Sequence, residues 1–159
     1  MVSRHESPVR VVSRRVMRGF DPTMFDKYCS DSKMPSYEIA RLADIGIATL
    51  RRWRRGTASP QVDLLARTVE VIGKRMEDVV IIPADERYPG DLRVLKGLLQ
   101  PILGRMAGVS TSTVALVESG QINLTASTAA KLAGALDVPI DIYKAAHERA
   151  RRRPFGAPI

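Results

Sequence analysis

The chain has few of the residues that stabilise or arm a protein through special chemistry. One cysteine, Cys29, excludes an internal disulfide and a cysteine-rich zinc site. Two histidines, His5 and His147, stand far apart and offer no metal-ligand spacing, so no metal is expected. Long apolar runs are missing as well. Stretches such as Val79–Ile82 fall far short of a bilayer crossing, and no apolar segment with a small-residue cleavage site follows the N-terminus, so a membrane span and secretion are not expected. There is no phosphate-binding loop and no nucleophile elbow, and the carboxylates are scattered rather than paired. Neither an enzyme activity nor a cofactor is expected from such a set.

Acidic residues are also in the minority, 17 Asp+Glu against 25 Lys+Arg in 159 residues. The resulting charge of +8 favours a polyanionic partner such as nucleic acid. The excess is not spread evenly. Residues 1–19 carry five arginines and one glutamate, and residues 149–159 carry four arginines. Between them, residues 20–82 and 91–148 are almost balanced. The reading is therefore a near-neutral body with basic N- and C-terminal tails. Arg10, Arg14, Arg15 and Arg18 on one side and Arg149, Arg151, Arg152 and Arg153 on the other could track phosphates or enter a minor groove. Apolar content of 45% and charged content of 26% are those of a globular chain.

Sliding the chain against itself by 64 residues gives a gapless register. Ile39-Ala40 falls on Leu103-Gly104, Ile45 on Val109, Thr49-Leu50 on Thr113-Val114, Trp53 on Val117 and Gly56 on Gly120. Identities are few, but apolar character is kept at apolar positions, which points to two related units. Each reads as short helices. In the first these cover Pro22 to about Ser30, Ser36–Ala43, Ile47–Arg55 and Pro60–Ile72, with Met76–Ile82 a short helix or an exit strand. Residues 83–90, rich in turn formers, read as a linker. In the second unit Leu92, Leu95, Leu98 and Leu99 share a helical spacing, and Pro101 suits a first helical turn. Gly108 ends that helix, Ser110 caps the next over 111–119, and Ser127–Leu136 and a last helix opened by Pro139 and Asp141 follow.

The segment Gln100 to Gly120 is the most informative. Two short helices meet at Gly108, Val109 fills the corner between them, and Val114 and Val117 turn the second helix inward. Thr111, Ser112, Ala115 and Leu116 are left outward, where a helix held across its partner can enter a major groove. At Gln100, Leu103, Gly108, Val109, Ser110, Thr113, Val114, Glu118 and Gly120 the chain resembles the lambda-repressor-like (Cro/cI-type) helix-turn-helix family. Leu132-Ala133 and Ala135-Leu136 resemble the family's fourth helix. Residues 20–82 resemble it more loosely, with Asp44 in place of the turn glycine, Gly46 in place of the capping serine and Ser36 in place of the glutamine.

The resemblance implies an all-α fold of two tandem helix-turn-helix domains, about five helices each, at 20–82 and 91–148. It implies a transcriptional regulator binding double-stranded DNA, possible as a homodimer, acting as a small repressor without a ligand domain, and located in the cytoplasm at the nucleoid. The DNA-contacting candidates are Ile47, Ala48, Thr49, Arg51, Arg52 and Arg55 in the first unit. In the second they are Gln100, Ser110, Thr111, Ser112, Thr113 and Leu116. It further implies a structural ion pair between Arg93 and Glu118. At the matching positions of the first unit stand Cys29 and Arg54, so that unit is expected to lack the pair, and Arg54→Ala to do little to folding. Arginines 51, 52 and 55 can grip phosphates or guanine; alternatively they are a solvated helix end favoured by the C-terminal dipole. The other reading of the whole chain is a helix-turn-helix scaffold used for dimerisation or for holding another protein, as in an antitoxin or a polymerase-associated factor.

Overall fold

The computed structural model describes residues 17–157 and is all-helical, apart from one isolated antiparallel bridge between Phe20 and Val80. In chain order the helices are α1 (Pro22–Asp31), α2 (Ser36–Ala43), α3 (Ile47–Arg55), α4 (Val62–Val71), α5 (Met76–Val79), α6 (Pro89–Leu95), α7 (Gln100–Ala107), α8 (Thr111–Glu118), α9 (Ala126–Leu136) and α10 (Ile140–Arg152). No helix among the described residues is long and apolar enough to cross a membrane.

Local chemistry sets these boundaries. The Asp21 carboxylate accepts from the Met24 backbone N–H at 3.0 Å, with Pro22 in the first turn. The hydroxyls of Ser110 and Thr125 cap α8 and α9 in the same way. Helix ends are closed by left-handed residues, and these recur at the same interval as the sequence register. Lys33 and Gly97, Asp44 and Gly108, Gly56 and Gly120, and Gly73 and Asp137 all have positive φ. The starts of α2 and α7, α3 and α8, α4 and α9, and α5 and α10 keep that interval too.

Burial gathers into two cores. The first is built on Phe25, Ile39, Leu50, Trp53, Leu65 and Val79, with the Trp53 ring edge-on to Phe25 at 6.3 Å. The second is built on Leu103, Val114, Val117, Leu132, Leu136 and Tyr143. Leu92 belongs to the second core, while its helical neighbours Val94 and Leu95 pack against the first. Helix α6 thus contributes to both.

The connecting segment and the described parts of both ends make specific contacts. The segment 83–90, expected as a linker, holds a 3₁₀ turn (Ala84–Glu86) and the first residues of α6, which starts at Pro89. Of the expected basic C-terminal tail, residues 149–152 belong to α10, with Arg149 donating to the Arg87 carbonyl at 2.7 Å and Arg151 to the Gly120 carbonyl at 3.0 Å. At the other end, the guanidinium of Arg18 pairs with the buried carboxylate of Asp91 and lies 4.6 Å from the Tyr88 ring centroid. Burial pushes the Asp91 carboxyl up from its ordinary value, against the downward pull of the Tyr88 N–H and of Arg18. Arg10, Arg14 and Arg15 lie outside the described residues.

The docking of α10 gives a stability test. A Cβ on Gly120 would sit 2.8 Å from the Ala150 backbone, at a φ of +72°. Gly108 also has positive φ, +68°, but nothing lies within 4 Å of its Cβ position. Gly120→Ala should therefore cost about 2 kcal/mol or more, from strain plus overlap, and Gly108→Ala only about 1 kcal/mol. Urea unfolding of the two variants measures the difference; equal losses would mean that α10 does not rest on this turn.

Candidate nucleic-acid interface

The α7–α8 corner is made by backbone geometry. Gly108 turns the chain, the Val109 N–H donates to the Gly104 carbonyl at 2.8 Å, and Val109 packs on the second core. Gly104 is needed for that approach, since its Cβ would fall 2.5 Å from the Val109 carbonyl oxygen. Val114 and Val117 are fully buried, which fixes the rotation of α8 about its axis. Ser110, Thr111, Ser112 and Leu116 are exposed, and Thr113 is half-buried. The Ser110 oxygen accepts the Thr113 N–H at 3.1 Å, and its hydroxyl donates to the Thr113 hydroxyl oxygen at 2.8 Å. Those two side chains are thus tied to each other, while Thr111 and Ser112 are the outward hydroxyls.

The α2–α3 corner repeats this geometry with other residues. Asp44 takes the left-handed conformation, φ 54°, and the Ile45 N–H donates to the Ala40 carbonyl at 3.0 Å. Buried Leu50 and Trp53 orient α3 and leave Ala48, Arg51, Arg52 and Arg55 exposed. Ile47 is half-buried and packs on the first core, so it faces the protein more than an outward Ile would. Thr49 is also half-buried, its hydroxyl oxygen accepting from Arg52 at 3.4 Å.

Behind each outward helix sits an ionic clamp. Arg93 of α6 donates to both carboxylate oxygens of Glu118, at 2.6 and 3.1 Å, and to the Leu98 carbonyl at 2.7 Å. The Gln100 amide donates to the same carboxylate at 2.8 Å. Gln100 is therefore held from below by Glu118, and only part of its hydrogen-bonding capacity is left for a ligand.

The first half was expected to have lost this device, and here the structure corrects the reading. Arg54 of α3 donates to Asp26 at 2.6 Å, to Ser36 at 3.0 Å and to Ser30 at 3.0 Å. The clamp is present with its charges exchanged: the cation is on α3 and the carboxylate on α1. Asp26 lies one helical turn before Cys29, the residue that matches Arg93, on the same face of α1. Cys29 itself is a buried core residue whose thiol burial pushes up to about 11. Asp26 is the site residue that position-by-position matching missed. A carboxylate at i−3 from the matched position was the signal that could have found it.

Arg54→Ala should accordingly destabilise, by about 1–2 kcal/mol rather than nothing. Three bonds to a charged group are lost, although Asp26 is partly exposed and screened. Chemical unfolding of this variant beside Arg52→Ala, which lacks such ties, reads the contrast; identical midpoints would return Arg54 to the role of a solvated surface charge.

The exchange also changes the surface. Arg51, Arg54 and Arg55, with Ser36 at the start of α2 and Asp26, line an open cleft of about 360 Å³. Arg54 is held by Asp26, Ser36 and Ser30, which leaves Arg51 and Arg55, beside a helix N-terminus, able to meet a phosphate group. The α7–α8 surface has a different character. Its only charged residues are Arg105 and the buried Glu118, and it exposes Ile102, Met106 and Leu116.

No curated protein and no solved structure matches the chain significantly. Residues 91–143, about a third of the chain, match the family model described as Helix-turn-helix. The match runs from α6 into the first turn of α10, and it supports a DNA-binding helix-turn-helix reading of that segment.

Proposed function

We propose that the chain is a sequence-specific regulator of transcription that binds double-stranded DNA, a small repressor built from two helix-turn-helix units, 20–82 and 91–148. The observation that carries this reading is the arginine-lined face of α3 beside the N-terminus of α2. Helix α3 then lies in the major groove. Arg51, Arg52 and Arg55 meet phosphates or guanine, and Ala48 touches a thymine methyl. Helix α8 offers Thr111, Ser112 and Leu116 to base edges, with Gln100 at the backbone. The agreement of positive-φ positions between the halves supports treating residues 20–82 as a second unit of the same kind.

The test is a titration of the protein against duplex DNA at two salt concentrations, followed by footprinting on DNA around its own gene. Binding through phosphates weakens steeply with salt. The exposed Ile102, Met106 and Leu116 favour one other reading, in which α7–α8 is a protein-interaction face. Absence of salt-sensitive DNA binding, together with a concentration-dependent mass in sedimentation, would select that reading instead.

A further inference from the structure

If both halves carry reading helices, as proposed above, their relative placement decides what kind of site the chain can occupy. The halves are not joined by a tether. Arg18, ahead of α1, pairs with Asp91 of α6 and donates to the Glu86 carbonyl at 3.3 Å. Asp91 also accepts the Tyr88 backbone N–H at 2.7 Å. Arg87 donates to the Ile82 carbonyl at 3.0 Å, and Arg149 donates to the Arg87 carbonyl at 2.7 Å. Apolar contact runs alongside: Val94 and Leu95 pack on the first core. Gly97 lies so close to α4 that a Cβ there would come within 2.6 Å of the Ala66 methyl. The Arg18–Asp91 ion pair and core packing cross the junction, and the hydrogen bonds of Arg87 and Arg149 brace the connecting segment, which fixes α8 relative to α3.

The symmetry of that junction can be read from the repeat. Two units related by a local two-fold axis must make every contact twice, with the roles exchanged. The counterpart of Ala66 against Gly97 would be Ala130 against Lys33, and both of those residues are exposed. The counterparts of Val94 and Leu95 are Ser30 and Asp31, again exposed. The counterpart of Asp91, buried under Arg18, is Lys27, exposed on α1. Helix α6 packs on α5, whereas α1 and α10 do not pack to a comparable extent. The junction is head to tail: the α4–α5 side of the first half meets the α6 side of the second.

We infer that one copy of this chain occupies an asymmetric DNA site, two unlike blocks of base pairs at one fixed spacing, rather than half of a palindrome. Palindromic operators mirror a two-fold axis in the protein, and this junction has none. The two outward faces also differ in chemistry, Ala48 with three arginines on α3 and two hydroxyls with Leu116 on α8. The blocks therefore differ in sequence as well as in orientation. Fixed placement makes the second block's contact intramolecular, with the affinity gain of a high effective concentration, and only at the matching spacing.

The experiment uses the full wild-type chain. Selection from a library of randomised duplexes gives the preferred site, sedimentation gives the stoichiometry on it, and anisotropy titrations follow insertion of two base pairs between its two protected blocks. That insertion moves the second block by roughly 7 Å and 70°. The expected results are a non-palindromic motif, one chain per duplex, and at least a tenfold loss of affinity on insertion. A palindromic motif carrying two chains would overturn the inference while leaving DNA recognition intact, and so would affinity unchanged by the insertion. Enrichment of no motif, with no salt-dependent binding to any duplex, would overturn the proposed function and the inference with it.

Discussion

Glu118→Ala should lower the stability of the chain by about 3 kcal/mol, the largest single loss expected from one side chain here. The carboxylate is 6% exposed and its partner Arg93 is 12% exposed. Alanine would leave the Arg93 guanidinium in a poorly hydrated site with the Leu98 carbonyl as its remaining partner, and would release Gln100. The cost arises mainly from the stranded cation. The double variant Arg93→Met with Glu118→Leu should therefore recover much of the loss, because no charge is then left unpaired. Urea denaturation of the single and double variants decides. If the double variant is as unstable as the single one, the clamp contributes through shape and packing, and the account in terms of an uncompensated charge fails.

The contrast between this clamp and its counterpart shows where sequence was informative. Turn positions, caps and core-facing residues were legible because each has a local cause. A left-handed residue ends a helix, a hydroxyl caps one, and buried Val114 and Val117 recur at helical spacing. The clamp of the first half was not legible in the same way. Its meaning depends on which residue of α1 faces Arg54, and that is decided by packing across 28 residues. Matching single positions found Cys29 and Arg54 and inferred a loss; the fold moved the carboxylate by one turn to Asp26 and kept the tie. Arg18, Arg149, Arg151 and Arg153 show a related limit. A cationic run looks solvated until something acceptor-rich lies against it. Here the carbonyls of Arg87, Ser119 and Gly120 receive Arg149, Arg153 and Arg151, and Arg18 finds the Asp91 carboxylate. Charge composition counted these groups correctly but could not say which were already partnered within the chain.

That distinction bears directly on which arginines remain for DNA. Arg18 is held in the junction and Arg54 in its clamp, whereas Arg51, Arg52 and Arg55 stand exposed on α3. Of these, Arg52 makes only a long contact to the Thr49 hydroxyl. Replacing Arg51 and Arg52 by alanine together should then weaken binding to every duplex and reduce the slope of log affinity against log salt by about two, if each meets one phosphate. Should one of them grip guanine instead, the loss concentrates at one base position, at about 1–3 kcal/mol. The second half supplies the comparison. Gln100 and Ser112 are neutral, so Gln100→Ala with Ser112→Ala should lower affinity for the preferred site while leaving the salt slope nearly unchanged. In Gln100→Ala the Glu118 carboxylate keeps both bonds from Arg93, so the fold should tolerate the change. Salt titrations of both double variants on one mapped site separate the contributions. Wild-type affinity and slope in the arginine variant would reduce Arg51 and Arg52 to a solvated helix end and transfer DNA binding to Arg55, to α8 or to the basic tails.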